Sequence, residues 1–135
     1  YEILRCLVGS EMCIRDSAKA EGKTVFLTSH IIQDMERLID DCIIMDYGRI
    51  LVQQPVAELL ATFRRYTFPA ADGAALPQGD GIYHPAVWKG RGELHSFASP
   101  DEIRDRLTRA GIACGELRWE TLNLEDAFIG LTGKY

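Results

Sequence analysis

Basic residues are scarce and never gather in this chain. Its 135 residues hold 15 Lys and Arg against 20 Asp and Glu, a formal net charge of −5. Phosphate backbones are gripped by clustered positive charge, so the composition speaks against a nucleic-acid partner. No apolar run approaches the roughly 18 to 20 residues that cross a bilayer, and no charged-then-apolar leader opens the chain, so any membrane role is expected to be peripheral. Cysteine is also sparse. Of four, Cys6 and Cys13 fall in one unusual stretch, while Cys42 and Cys114 stand alone among apolar or small neighbours. This speaks against a disulfide framework or a thiolate metal site and suits small core residues in a reducing cytosol.

The unusual stretch is "CLVGSEMCIRDS", residues 6–17. It shows neither a helical nor an alternating period. Leu7 through Asp16 resemble, residue for residue, one reading frame of a widely used transposase sequencing adapter. On that resemblance residues 7–17 are expected to be adapter-derived, and the fold is read from Ala18 onward. Residues 1–6 become an orphan of uncertain origin.

From Gly22 the signals become coherent. "KTVFLTSH" is a short β-branched run ending in polar residues, as expected of a buried parallel strand. Ile31, Ile32, Met35, Leu38 and Ile39 then recur at helical spacing. Two apolar runs flank Asp46-Tyr47-Gly48, a hairpin turn in which Gly supplies a positive φ. Pro55 opens a helix with Val56, Leu59, Leu60 and Phe63 on one face, predicted to end near Arg65.

After Phe68 the composition shifts to Pro, Gly, Ala and Asp, so residues 67–81 read as a linker. A small α+β unit is expected over 82–135. Strand candidates at 82–88 and 93–97 are joined by "KGRG". Ser99-Pro100 with Glu102 starts a helix bearing Ile103, Leu107 and Ala110, which Gly111 stops. A strand runs through "IACGELRWE", and a last helix from Asn123 turns Leu124, Ala127, Phe128 and Leu131 inward before Gly133.

Few side chains suggest chemistry. His30 lies at the carboxyl end of the expected parallel strand, where open α/β sheets bind ligands, and it equally precedes the first helical residue as an N-cap would. His84 and His95 have no carboxylate or thiol at metal-ligand spacing and read as surface or strand histidines. Trp88 and Trp119 read as core or domain-contact aromatics, and Asp40-Asp41 and Glu125-Asp126 as solvated helix ends.

"GKTVFLTSHIIQDMERLIDDCIIMDYGRIL" resembles the distal end of the ATP-binding subunit of ABC transporters, and "NLEDAFIGLTGKY" is similar to the ending of exporter-type members with an appended C-terminal domain. The resemblance implies an α/β fold: a C-terminal fragment of a P-loop NTPase (RecA-like) ABC ATPase core over residues 18–66, followed by the small α+β domain. It implies ATP with Mg as cofactor, ATP hydrolysis driving export, a permease and a second ATP-binding subunit as partners, and a place on the cytoplasmic face of the cell membrane. It makes His30 the catalytic and nucleotide-contacting switch histidine, with no protein metal site. The phosphate loop GxxxxGKS or GxxxxGKT, the Leu-Ser-Gly-Gly-Gln signature and the strand ending in Asp-Glu are missing from this sequence. The chain alone is therefore expected to be inactive. The alternative is a non-catalytic binding or regulatory module docking on a transporter or another partner.

Overall fold

A computed structural model describes residues 10–133, and side chains from residue 16. It divides into two compact units, Tyr1–Ile39 and Asp40–Tyr135. The orphan residues 1–6, the start of the adapter-like stretch and the final Lys134-Tyr135 lie outside the described residues.

In the first unit, helix α1 spans Ser10–Glu21 and runs through much of the stretch that showed no helical period. Its second half, Ala18-Lys19-Ala20-Glu21, is built from strong helix formers. Gly22 ends it at φ +65. The Lys23 amide donates back to the Ala18 carbonyl (2.8 Å) and the Gly22 amide to that of Lys19 (3.3 Å), a glycine cap that satisfies two otherwise orphaned carbonyls. Lys23 also pairs with Glu21.

The strand expected at 23–30 does not form. The segment is irregular and exposed, and neither described sheet includes it. A parallel strand holds its backbone groups only between neighbours, and among the described residues none flank it. The expected helix after it is likewise replaced by successive turns, with Leu38 donating to the Met35 carbonyl (2.9 Å) and Met35 to that of Ile32 (3.0 Å). Helical spacing nucleates no stable helix unless its apolar face is covered.

The second unit is mixed α/β with two antiparallel sheets. Strands β1 (Asp41–Asp46) and β2 (Arg49–Pro55) form the expected hairpin. Tyr47 and Gly48 both take positive φ (46 and 72), the two-residue turn whose twist matches its strands. Helix α2 (Val56–Thr62) follows, with Pro55 as its N-cap rather than its first residue. It ends three residues before Arg65, because Arg64–Pro69 forms strand β3.

Strand β3 was not anticipated, and it occupies an inner position in the larger sheet, ordered β4-β5-β3-β6. Strands β4 (Tyr83–Trp88) and β5 (Arg91–Ser96) make the expected hairpin around Lys89-Gly90, and β6 spans Arg118–Thr121. Tyr66 registers with both Leu94 and Trp119. Residues 67–69, read from composition as the start of a linker, thus belong to the sheet.

Helix α3 (Pro100–Arg109) carries both halves of its capping box, Ser99 and Glu102. Ile103 and Leu107 are buried with Tyr66, Phe68, Leu94 and Leu117, whereas Ala110 is exposed. Helix α4 (Leu124–Thr132) is capped by Asn123, which accepts from the Asp126 amide (2.7 Å), and stops at Gly133. Leu124, Ala127 and Leu131 are buried and Phe128 half-buried.

Candidate functional site

His30 sits on a bend in the irregular segment and is exposed to solvent. Its conformation follows from its neighbour: the Ser29 hydroxyl accepts the Ile31 amide (2.9 Å), a serine turn that holds the chain just past the imidazole. Ser29 therefore serves the backbone rather than a ligand. Around His30, Val25, Phe26, Leu27 and Ile31 are exposed apolar residues, Phe26 at 79%. Neither local reading holds in this structure, since no strand ends at His30 and no helix begins after it.

An ATP-Mg site needs a cradle of donors for the phosphates and oxygen ligands for the metal. Here His30 supplies one accessible imidazole and nothing that encloses a nucleotide. Among the described residues no group of three or more His, Cys, Asp or Glu converges as a metal site would require. The residues present do not by themselves fit ATP with Mg, and no chemical step follows from them alone.

The other two histidines come together in the second unit. Tyr83 registers with His95, and the pairing slips between Tyr83 and Ala86. His84 lies in that bulge at φ +45 and donates through Nε2 to the Leu131 carbonyl (3.1 Å). The bulge turns His84 from the β4 ladder onto the end of α4. His95 is 8% exposed and stacks on Phe63, ring centroids 6.0 Å apart. A Cβ on Gly130 would come within 2.7 Å of its ring, so the absence of a side chain there lets α4 approach.

Burial holds the His95 pKa down to about 4; Arg65 and His84 add to the effect and Asp126 opposes it. Nδ1 has no hydrogen-bond partner among the described residues, and Nε2 is 4.0 Å from Glu93 Oε1. A neutral, enclosed imidazole stacked on one phenyl ring is a packing element. Tyr83, Phe63 and Phe97 complete that cluster, with Phe63 and Phe97 centroids 4.7 Å apart. Helical spacing pointed to Phe63, but its stacking on His95 and its packing with Tyr83 and Phe97 left no mark in the sequence.

The remaining candidates separate. Asp41 opens a strand instead of closing a helix, while Glu125 and Asp126 do occupy the first turn of α4. Trp88 and Trp119 are exposed rather than core, with Lys89 Nζ 4.2 Å from the Trp88 ring centroid. Cys42 is buried, which pushes its thiol pKa up, and Cys114 is half-buried; both are free.

No family model and no solved structure matches the chain. It is, however, 30% identical over 118 residues to the bacitracin transport ATP-binding protein BcrA of Enterococcus faecalis, an alignment covering 83% of this chain and 38% of that protein. It is 28% identical to the Nod factor export ATP-binding protein I of Rhizobium sp. (strain N33), over 85% of this chain and 38% of that protein. A third relative, an uncharacterized ABC transporter ATP-binding protein of Synechocystis, is 27% identical over 84% of this chain and 32% of its own length. The chain spans less than two fifths of the length of these curated relatives. Over most of its length it is therefore homologous to ABC transporter ATP-binding proteins.

Proposed function

We propose that this chain is the distal part of the ATP-binding subunit of an ABC exporter, coupling ATP hydrolysis to movement of a compound through a membrane permease. The observation that carries the reading is the similarity over 83–85% of the chain to export and transport ATP-binding proteins. In this reading the RecA-like core ends ahead of β3, and the appended domain takes in β3 together with residues 82–135, leaving residues 70–81 as the connection inside it. The protein lies against the cytoplasmic face of the membrane with the permease and a second ATP-binding subunit.

His30 is then the switch histidine. In the complete subunit its imidazole would be a hydrogen-bond donor to a γ-phosphate oxygen of ATP and would help orient the attacking water. Phosphoryl transfer depends on positioning and charge stabilisation, so one aimed donor is worth about 3 to 4 kcal/mol of barrier. The exposure of His30 and the fixed Ser29 turn are compatible with that role. Residues 7–17 are adapter-derived in this reading, and the chain alone hydrolyses no ATP.

The test begins with the source DNA, amplified across the codons for residues 1–23. An uninterrupted gene lacking codons 7–17 and encoding an upstream phosphate loop is expected. Genomic codons 7–17 with no ATPase half before them would instead favour the non-catalytic docking module. In the restored subunit, His30→Ala should keep ATP binding and lose hydrolysis by roughly two to three orders of magnitude. Undiminished turnover would remove His30 from the mechanism.

A further inference from the structure

The larger sheet ends in a strand whose sequence is complementary to itself. Strand β6, Arg118-Trp119-Glu120-Thr121, pairs with β3 along one edge and is the terminal strand of the sheet. All four residues are exposed, and Trp119 is 49% exposed. An open edge presents a row of backbone donors and acceptors, and folded proteins commonly blunt such edges with proline, bulges or like charges. Here the strand has no proline, its pairing with β3 shows no bulge, and its two charges are opposite in sign and two residues apart.

Alternation places Arg118 and Glu120 on the same face, with Trp119 on the other. Glu120 is joined to Arg65 of β3, with 2.7 Å between Arg65 Nε and Glu120 Oε1. Arg118 registers with Thr67 in the ladder, but its side chain has no hydrogen bond or ion pair among the described residues, so the edge carries one satisfied carboxylate and one cation without an anion.

From this pattern we infer that β6 is a homodimer edge: two copies of the chain pair β6 with β6, antiparallel, about a two-fold axis through Trp119. That axis sets Arg118 of each copy directly opposite Glu120 of the other and brings the two Trp119 side chains together on the opposite face. Antiparallel neighbours of opposite charge stabilise a ladder, as does an aromatic pair. The contact is isologous, so it closes at two copies and extends the four-stranded sheet into one of eight. A four-residue edge buries little area, so the dimer is a weak one that forms as protein concentration rises. This inference uses only the second unit and does not rest on the role proposed for His30.

Sedimentation equilibrium of the full chain over a range of concentrations provides the test. The wild type should show a monomer–dimer equilibrium. Arg118→Glu leaves only carboxylates facing one another, and Glu120→Arg only guanidinium groups. Each alone should weaken the dimer roughly tenfold or more. An equimolar mixture of the two variants restores opposite charges across the axis and should form a heterodimer of about wild-type affinity, as should the double swap R118E/E120R on its own. Circular dichroism confirms that each variant is folded, and the mixture is informative because each variant serves as the other's control. A wild type that stays monomeric up to its solubility limit overturns the inference. So does association that ignores these charges, which would place the contact elsewhere, for example on the exposed Val25–Ile31 segment.

Discussion

Residues 23–30 and residues 64–69 invite comparison, since both are short, β-prone stretches beside a helix. The first is the more apolar, yet it lies irregular and exposed, while the second is an inner strand with Tyr66 and Phe68 almost fully buried. What separates them is neighbours. Strand β3 has β5 on one side, β6 on the other, and α3 over its buried face. The 23–30 segment has no partner strand among the described residues, and hydrophobicity without a ladder leaves backbone groups to water. Strand formation here belongs to the assembly more than to the segment.

Substitutions can break or sharpen that contrast. The largest effect is expected in the shared core: Leu94→Ala should cost about 3 kcal/mol in urea unfolding, because it opens a cavity among Tyr66, Ile103 and Leu107. A loss below about 1 kcal/mol would show the second unit to be loosely packed.

Next comes acid sensitivity centred on His95. Its folded pKa lies near 4, below the ordinary 6.5, so between those values the unfolded chain binds a proton that the folded chain refuses. Stability present above pH 6.5 should therefore fall as the pH drops to about 4, by an amount on the order of 2 to 3 kcal/mol from this group. His95→Leu should flatten that part of the profile. An unchanged slope would show that the imidazole is not buried neutral.

Gly22→Ala is a smaller change. The left-handed cap of α1 would be strained by a Cβ, and a loss of about 1 kcal/mol is expected, read as faster amide exchange over the last turn of the helix. Smallest of all is Phe26→Ser, expected to shift stability by less than about 0.5 kcal/mol in this chain, since the side chain is already in water. A large loss there would overturn the comparison, because the segment would then be packed after all.

Most of the second unit was legible because its signals are local. The Tyr47-Gly48 and Lys89-Gly90 turns, the Ser99/Glu102 box and the Gly133 stop each depend on a few adjacent residues. Strand β3 escaped notice because it begins directly after a helix and runs into a Pro- and Gly-rich stretch, which hid the alternation of Tyr66, Phe68 and Ala70. Residues 23–39 differ from expectation for another reason: their apolar periodicity is present, but the neighbours that would cover it are not among the described residues. His30 stood out by position and by resemblance, and its surroundings in the structure supply neither phosphate cradle nor metal ligands. The burial of His95 depends on Phe63 stacked on its ring and on the close approach of Gly130, which no local pattern joins.

The place of β3 also sets a timetable for synthesis. Arg64 pairs with Ser96 and with Thr121, so both neighbours of this strand are translated after it. At roughly 5 to 20 residues per second, β3 waits several seconds on the ribosome before the last of them appears. Until then β3 is a template open to any other strand, and a nascent chain stalled before residue 118 would carry its β6-facing edge unguarded.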